Sequence, residues 1–170
     1  MRKLRMLALC CLFFIVMTNI VFAVDRWQWI AANDSVDFFI DINTIKFTGA
    51  DSTHSNQNKI CIWIKSQATT EGKQALTKVL QDSGLDEDIM SDLKNVSYRM
   101  SYVECDVEKR QMRTVFSQLF HADATPIENT IKKTPDAEWS PIIPDTRSEI
   151  IFNGIQNYVS NHSDLLTPHI

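Results

Sequence analysis

Residues 96–122, "VSYRMSYVECDVEKRQMRTVFSQLFHA", decide the fold. Two runs rich in aromatic and β-branched residues, VSYRMSYVECDV (96–107) and QMRTVFSQLFHA (111–122), flank a charged turn at Glu108 to Arg110. That is the pattern of a long antiparallel hairpin. Upstream, KICIWIK (59–65) sets Ile60, Ile62 and Ile64 against Cys61, Trp63 and Lys65, a period of two that only a strand explains. RWQWIA (26–31) and SVDFFIDI (35–42) add two more strands, split by the turn residues Asn33 and Asp34. Asp41, followed by INTI, suits a strand end where a side chain ties down the backbone. Strands in such close succession predict an antiparallel meander. GADSTHSNQN (49–58) is a polar loop within it.

Helical segments interrupt the strands. Residues 71–94 read as a helical pair, with Leu76, Val79 and Leu80 along one face of the first helix. Gly84 suits the left-handed position that ends it. The second helix carries Leu85, Ile89 and Leu93 as its stripe. Asp86, Glu87 and Asp88 stand near its positive end, and Lys94 at its negative end. Near the C-terminus Thr146 and Glu149 have the spacing of a capping box. Ile151, Phe152, Ile155, Tyr158 and Val159 then form a stripe that must bury against another layer. The sheet face carrying Val103 and Cys105 is the expected dock. The fold class is therefore α+β: a curved antiparallel meander, a C-terminal helix on one face, and a helical pair inserted between strands.

The N-terminus reads as an export signal. Arg2, Lys3 and Arg5 precede the apolar run MLALCCLFFIVM, and Val21 and Ala23 occupy the small-residue positions of a cleavage site before Val24. The run falls short of the roughly 20 residues that span a bilayer, although it continues through Ile20, Val21 and Phe22, so an uncleaved anchor is the alternative. Leu9 before Cys10 makes a poor lipoprotein site. Cleavage leaves 24–160 as one domain with a polar tail at 161–170, placed in the periplasm or at the cell surface with no stable membrane anchor. Loss of three basic residues takes the formal net charge from −4 to −7. That acidity opposes binding to nucleic acid, which demands clustered Lys and Arg, and to an anionic membrane surface.

Cys61 and Cys105 are then the only cysteines left. In an oxidising compartment they are expected to form a disulfide, which would contribute roughly 3–4 kcal/mol by constraining the unfolded chain. The alternative is two separate buried thiols. No CxxC or neighbouring histidine supports a metal site.

The search for catalytic motifs returns little. GxSxG, HExxH and a phosphate-cradling glycine loop are all missing from the sequence. His54, His121, His162 and His169 stand in loops, a strand end or the tail. The acidic group Asp86, Glu87, Asp88 and Asp92 reads as a solvated helix start, not a calcium loop. Trp27, Trp29, Trp63 and Trp139 are expected in the core, with a ligand groove as the alternative. Asn33, Asn95 and Asn161 each head a glycosylation sequon, read as chance. The expectation is a non-enzyme without cofactors.

The order of these pieces resembles the surface-adhesin protein E-like family of exported bacterial proteins, over nearly the whole mature chain. The likeness is carried by an aromatic first strand leading into FFID..TI (38–45), then IWIK (62–65) and Y.EC (102–105) with its basic turn. An Asp-bearing loop and W..IIPDT..E (139–149) at the start of the last helix complete it. The resemblance implies a C-terminal helix across the concave face of the sheet. It also implies adhesion to host or extracellular proteins in some members, and a homodimer in some. In the family pattern the cysteine of Y.EC pairs with one in the terminal helix. Here Ile155 and Gln156 stand about where that cysteine would be, which leaves Cys61 as the partner for Cys105. The 71–94 insertion exceeds the family minimum, and covering a sheet edge is its expected role, ahead of a binding appendage.

Overall fold

The computed structural model describes residues 26–48, 59–82, 91 and 93–163. The expected signal, the polar loop 49–58, Gly84 and the acidic start of the second inserted helix lie outside the described residues.

Among the described residues eight antiparallel strands form one sheet: β1 (Trp27–Asn33), β2 (Val36–Asp41), β3 (Lys46–Thr48), β4 (Lys59–Ala68), β5 (Tyr98–Asp106), β6 (Gln111–Phe120), β7 (Lys132–Lys133) and β8 (Ser140–Pro141). The main path runs β1-β2-β4-β5-β6-β7, with β3 beside β4 and β8 beside β6. The turns follow from their side chains. Asn33 Oδ1 accepts from the amides of Ser35 (3.0 Å) and Val36 (2.8 Å), which closes the first hairpin. Asp41 is wholly buried at the end of β2, where it accepts from the Asn43 amide (3.2 Å) and pairs with Arg26. A turn of 3-10 helix, Ile42–Thr44, results. Asp106 fixes the long hairpin by accepting from the Lys109 amide at 2.9 Å.

Period-two alternation sends Phe38, Ile40, Ile60, Ile62, Ile64, Val103 and Cys105 to one face, and there they form the core. Helix α2 (Arg147–Asn161) lies on that face, burying Ile151, Phe152 and Ile155, with Tyr158 and Val159 partly covered at its edge. Full burial of such a side chain contributes about 1.5–3 kcal/mol, so the helix is held by its stripe. The close approach needs Gly154: a Cβ there would lie 3.1 Å from Ile30 Cβ and Cδ1. Among the described residues, no helix is long and apolar enough to cross a membrane.

Helix α1 (Thr70–Asp82) is the main described part of the expected 71–94 pair. Val79 on its apolar stripe is 64% exposed. The helix leaves the end of central β4 and packs on the β1–β2 turn, where Thr69 N donates to Ser35 O at 3.0 Å and Thr69 Oγ1 to Asp34 O at 2.9 Å. The helix lying against edge strand β1 is α2, through Ile30 and Gly154.

Candidate functional site

The face of the sheet opposite the core is the more unusual one. Tryptophan is apolar enough to predict a core position, but phase decides otherwise. Trp63 lies between Ile62 and Ile64, so it points away from them. Trp27, Trp63 and Trp139 are only half-buried and Trp29 is 52% exposed, so the core expectation for the tryptophans is overturned.

Cross-strand register assembles the outward side chains into rows. Trp63 stands opposite Tyr102, and Tyr102 opposite Phe116. The Trp63 ring centroid is 5.4 Å from that of Tyr102 and 5.3 Å from that of Phe116, tilted and edge-on. Tyr98 and Phe120, also opposite one another, stack at 5.1 Å with planes 3° apart. Aromatic pairs of this kind contribute about 0.5–1.5 kcal/mol beyond the area they bury. Lys65 rises among them, its Nζ 5.3 Å from the Phe39 and Tyr98 rings and 5.8 Å from Trp27. No carboxylate among the described residues forms an ion pair with it. At one end of the face Arg113 lies 4.8 Å over the Trp139 ring and pairs with Glu104 at 2.7 Å, while Lys59 lies 5.5 Å over the same ring. Burial raises the phenol pKa values of Tyr98 and Tyr102, so both keep their protons as hydrogen-bond donors. The result is a rigid aromatic surface dotted with cations, with no helix over it among the described residues.

The expected disulfide is absent, because Cys61 and Cys105 are both free and buried. Register gives the reason: Cys105 stands opposite Ile60 and Cys61 opposite Glu104. Offset by one residue, the two side chains leave opposite faces of the sheet. Cys105 belongs to the core. Cys61 sits under the aromatic face, 3.7 Å from Thr48 Oγ1. Burial, and then the proximity of Cys61, push the Cys105 thiol up to about 12, so it is inert as a nucleophile.

Thr146 is the N-cap of α2, but the box expected with Glu149 is not made. Asp145 takes a left-handed φ of 59°. The Thr146 hydroxyl donates to Ile143 O at 2.6 Å and meets Ser148 Oγ at 2.7 Å. Glu149 reaches one residue further back, accepting from the Asp145 amide at 2.9 Å. His121 lies 3.3 Å from Asn95 O, and His162 stacks on Tyr158 at 4.2 Å. Among the described residues no cluster of His, Cys, Asp or Glu is arranged to hold a metal ion.

No protein-family model and no curated protein matches the chain. Among solved structures it is similar to protein E from non-typeable Haemophilus influenzae, with a TM-score of 0.42 and 11% identity, covering 82% of this chain and 79% of that chain. This is a weak likeness of fold, and it says nothing about what the chain binds.

Proposed function

We propose that the chain is an exported, non-enzymatic binding module that takes a protein partner on its aromatic sheet face. The observation that carries this reading is the set of half-buried rings, Trp27, Phe39, Trp63, Tyr98 and Tyr102, around Lys65, which has no ion-pair partner among the described residues. Aromatic side chains are the usual anchors of protein interfaces, because they offer large rigid area at low entropic cost. A cation set among rings without a counter-ion favours a partner that brings a carboxylate flanked by apolar side chains. At the cell surface such a module acts as an adhesin. In the periplasm the same face serves an envelope protein, and a second copy of the chain is a further partner of the same chemistry.

The test is selection from a random peptide library on the immobilised chain from residue 24, which holds every described strand and helix. Recovered peptides are expected to be acidic and aromatic, and to lose binding to a Trp63→Ala, Lys65→Glu variant. Peptides that bind that variant undiminished would refute the site. Protease added to intact cells then separates the two locations: digestion without lysis means the surface, and protection means the periplasm.

A further inference from the structure

The inward face holds a second feature that the aromatic surface does not use. Arg26, Arg110 and Arg113 each pair with a carboxylate. Arg99 and Arg147, the other arginines among the described residues, pair with no carboxylate among those residues. They belong to one row across the sheet. Phe38 stands opposite Ser66, Ser66 opposite Arg99, and Arg99 opposite Leu119. The Arg147 guanidinium, arriving from the first turn of α2, lies 4.9 Å over the Phe38 ring. Two guanidinium groups therefore flank Ser66, a buried hydroxyl.

Several observations indicate that this arrangement lacks a negative partner among the described residues. Arg99 Nε is buried and makes no hydrogen bond. Ser101, next along the inward face and 5% exposed, has an unpartnered hydroxyl as well. Glu138 and Lys132 line the adjoining cavity with Arg99, yet no ion pair joins Glu138 to it. Loss of solvent lowers the pKa of Arg99. The same cause, and then the charge of Arg99, bring Arg147 down to about 10. Both remain charged at neutral pH, and for Arg99, whose Nε is shut off from solvent, a charge without a partner is costly.

A cleft of about 270 Å³ opens beside the two arginines, between the sheet, α1 and the start of α2. Its remaining walls are mostly apolar: Val36, Ala68, Leu76, Val96 and Leu119. We propose that this cleft binds the carboxylate of a small organic acid, with Arg99 and Arg147 holding the carboxylate and the apolar walls holding a short tail. Guanidinium groups grip a carboxylate through paired N–H donors. A phosphate dianion would gain the same charge contacts but nothing from the walls. The volume lies just under the roughly 300–1,000 Å³ of common ligand pockets, which suits a short acid better than a nucleotide. Its two arginines belong to the face opposite the proposed protein interface, Tyr98 is lining shared with that interface, and the assignment does not depend on it.

Calorimetric titration of the chain from residue 24 with sodium hexanoate, 1-hexanol and inorganic phosphate tests the assignment. Hexanoate is expected to bind saturably, with the alcohol at least about tenfold weaker for want of a charge-assisted contact and phosphate at least about tenfold weaker for want of burial against the apolar walls. Arg147→Gln, at a largely exposed position, should retain the fold by circular dichroism and weaken hexanoate about tenfold. Arg99→Met should weaken it at least as much. Absence of saturable binding overturns the proposal. So does equal binding of hexanol (an apolar hole only) or of phosphate (a plain anion site), and so does an unchanged affinity in a folded Arg147→Gln protein.

Discussion

Replacing Gly72 by alanine tests the placement of helix α1. A Cβ at position 72 would lie 2.0 Å from the Ser35 carbonyl oxygen and 2.9 Å from its carbon. Ordinary contact begins near 3.4 Å, so the helix or the turn must retreat by more than an ångström. The obstacle is backbone, and no rotamer change relieves it. Retreat stretches two bonds that clamp the same contact, Thr69 N to Ser35 O at 3.0 Å and Thr69 Oγ1 to Asp34 O at 2.9 Å. Losing both removes about 1–3 kcal/mol, and overpacking adds about 1–3 kcal/mol. Against this, alanine gains about 1 kcal/mol of helix propensity over glycine. The net expectation is destabilisation by about 3 kcal/mol. Urea unfolding followed by tryptophan fluorescence should show the midpoint falling by at least about 1 M at unchanged slope, given a slope of about 1–3 kcal/mol/M. Gln74→Ala, on the exposed side of the same helix, should change stability by no more than about 0.5 kcal/mol. A Gly72→Ala protein as stable as the parent, or more so, would refute the reasoning, because propensity alone would then govern the site and α1 would not rest on the β1–β2 turn.

Phe152 is fully buried beneath α2 with the Arg110 guanidinium 5.3 Å over its ring, so Phe152→Ala should cost about 3–5 kcal/mol. Ile143→Ala, at a site 57% exposed, should cost little in the same denaturation series. Alkaline pH should lower the stability that the buried Cys105 thiol contributes. Its native pKa is raised from 9.0 to about 12, so the unfolded state releases the proton first. The stability it contributes is complete below about pH 9 and declines as pH rises towards 12, by up to about 4 kcal/mol. Unfolding free energies measured from pH 8 to 11 should fall less steeply for Cys105→Ala than for the parent, and identical slopes would contradict this. With reductant omitted, an alkylating reagent should label Cys61 and Cys105 only after unfolding, and peptide mapping that finds them joined would show the register to be wrong.

Much of the fold is legible in the sequence because strand alternation is a local property. The isoleucines of KICIWIK and the Val103–Cys105 pair announce their face, and Ile151, Phe152 and Ile155 announce what covers it. The same phase rule places Trp63 outward and Arg99 inward. For tryptophan, residue type was the weaker guide, since burial in a sheet follows position before hydrophobicity. The disulfide expectation failed for a non-local reason. Composition can count the cysteines, but whether Cys61 meets Cys105 or Glu104 depends on a register difference of one residue, fixed by every other pair along β4 and β5. The cap at Thr146 follows its spacing, while its hydroxyl follows the left-handed turn at Asp145. Spacing alone does not encode that turn.

Both candidate sites depend on one irregularity in the hairpin that opens the sequence reading. Tyr102 stands opposite Phe116, but the next residue, Val103, stands opposite Thr114, leaving Val115 extra. The Val115 carbonyl is not wasted, for it accepts from the Thr134 amide at 2.8 Å. Before this bulge Met112 and Thr114 face inward with Cys105 and Val103. After it Ser117 and Leu119 do so, opposite Ser101 and Arg99. Were β6 regular through Val115, the even-numbered positions would stay inward throughout, and Phe116 and Phe120 would crowd the inward face. The outward face would lose the rings that flank Trp63 and Tyr98, and the inward face would lose Ser117 and Leu119. A bulge re-aims every side chain beyond it. Val115 thus divides β6 into a half that completes the core and a half that supplies aromatic rings to one surface and polar lining to the other.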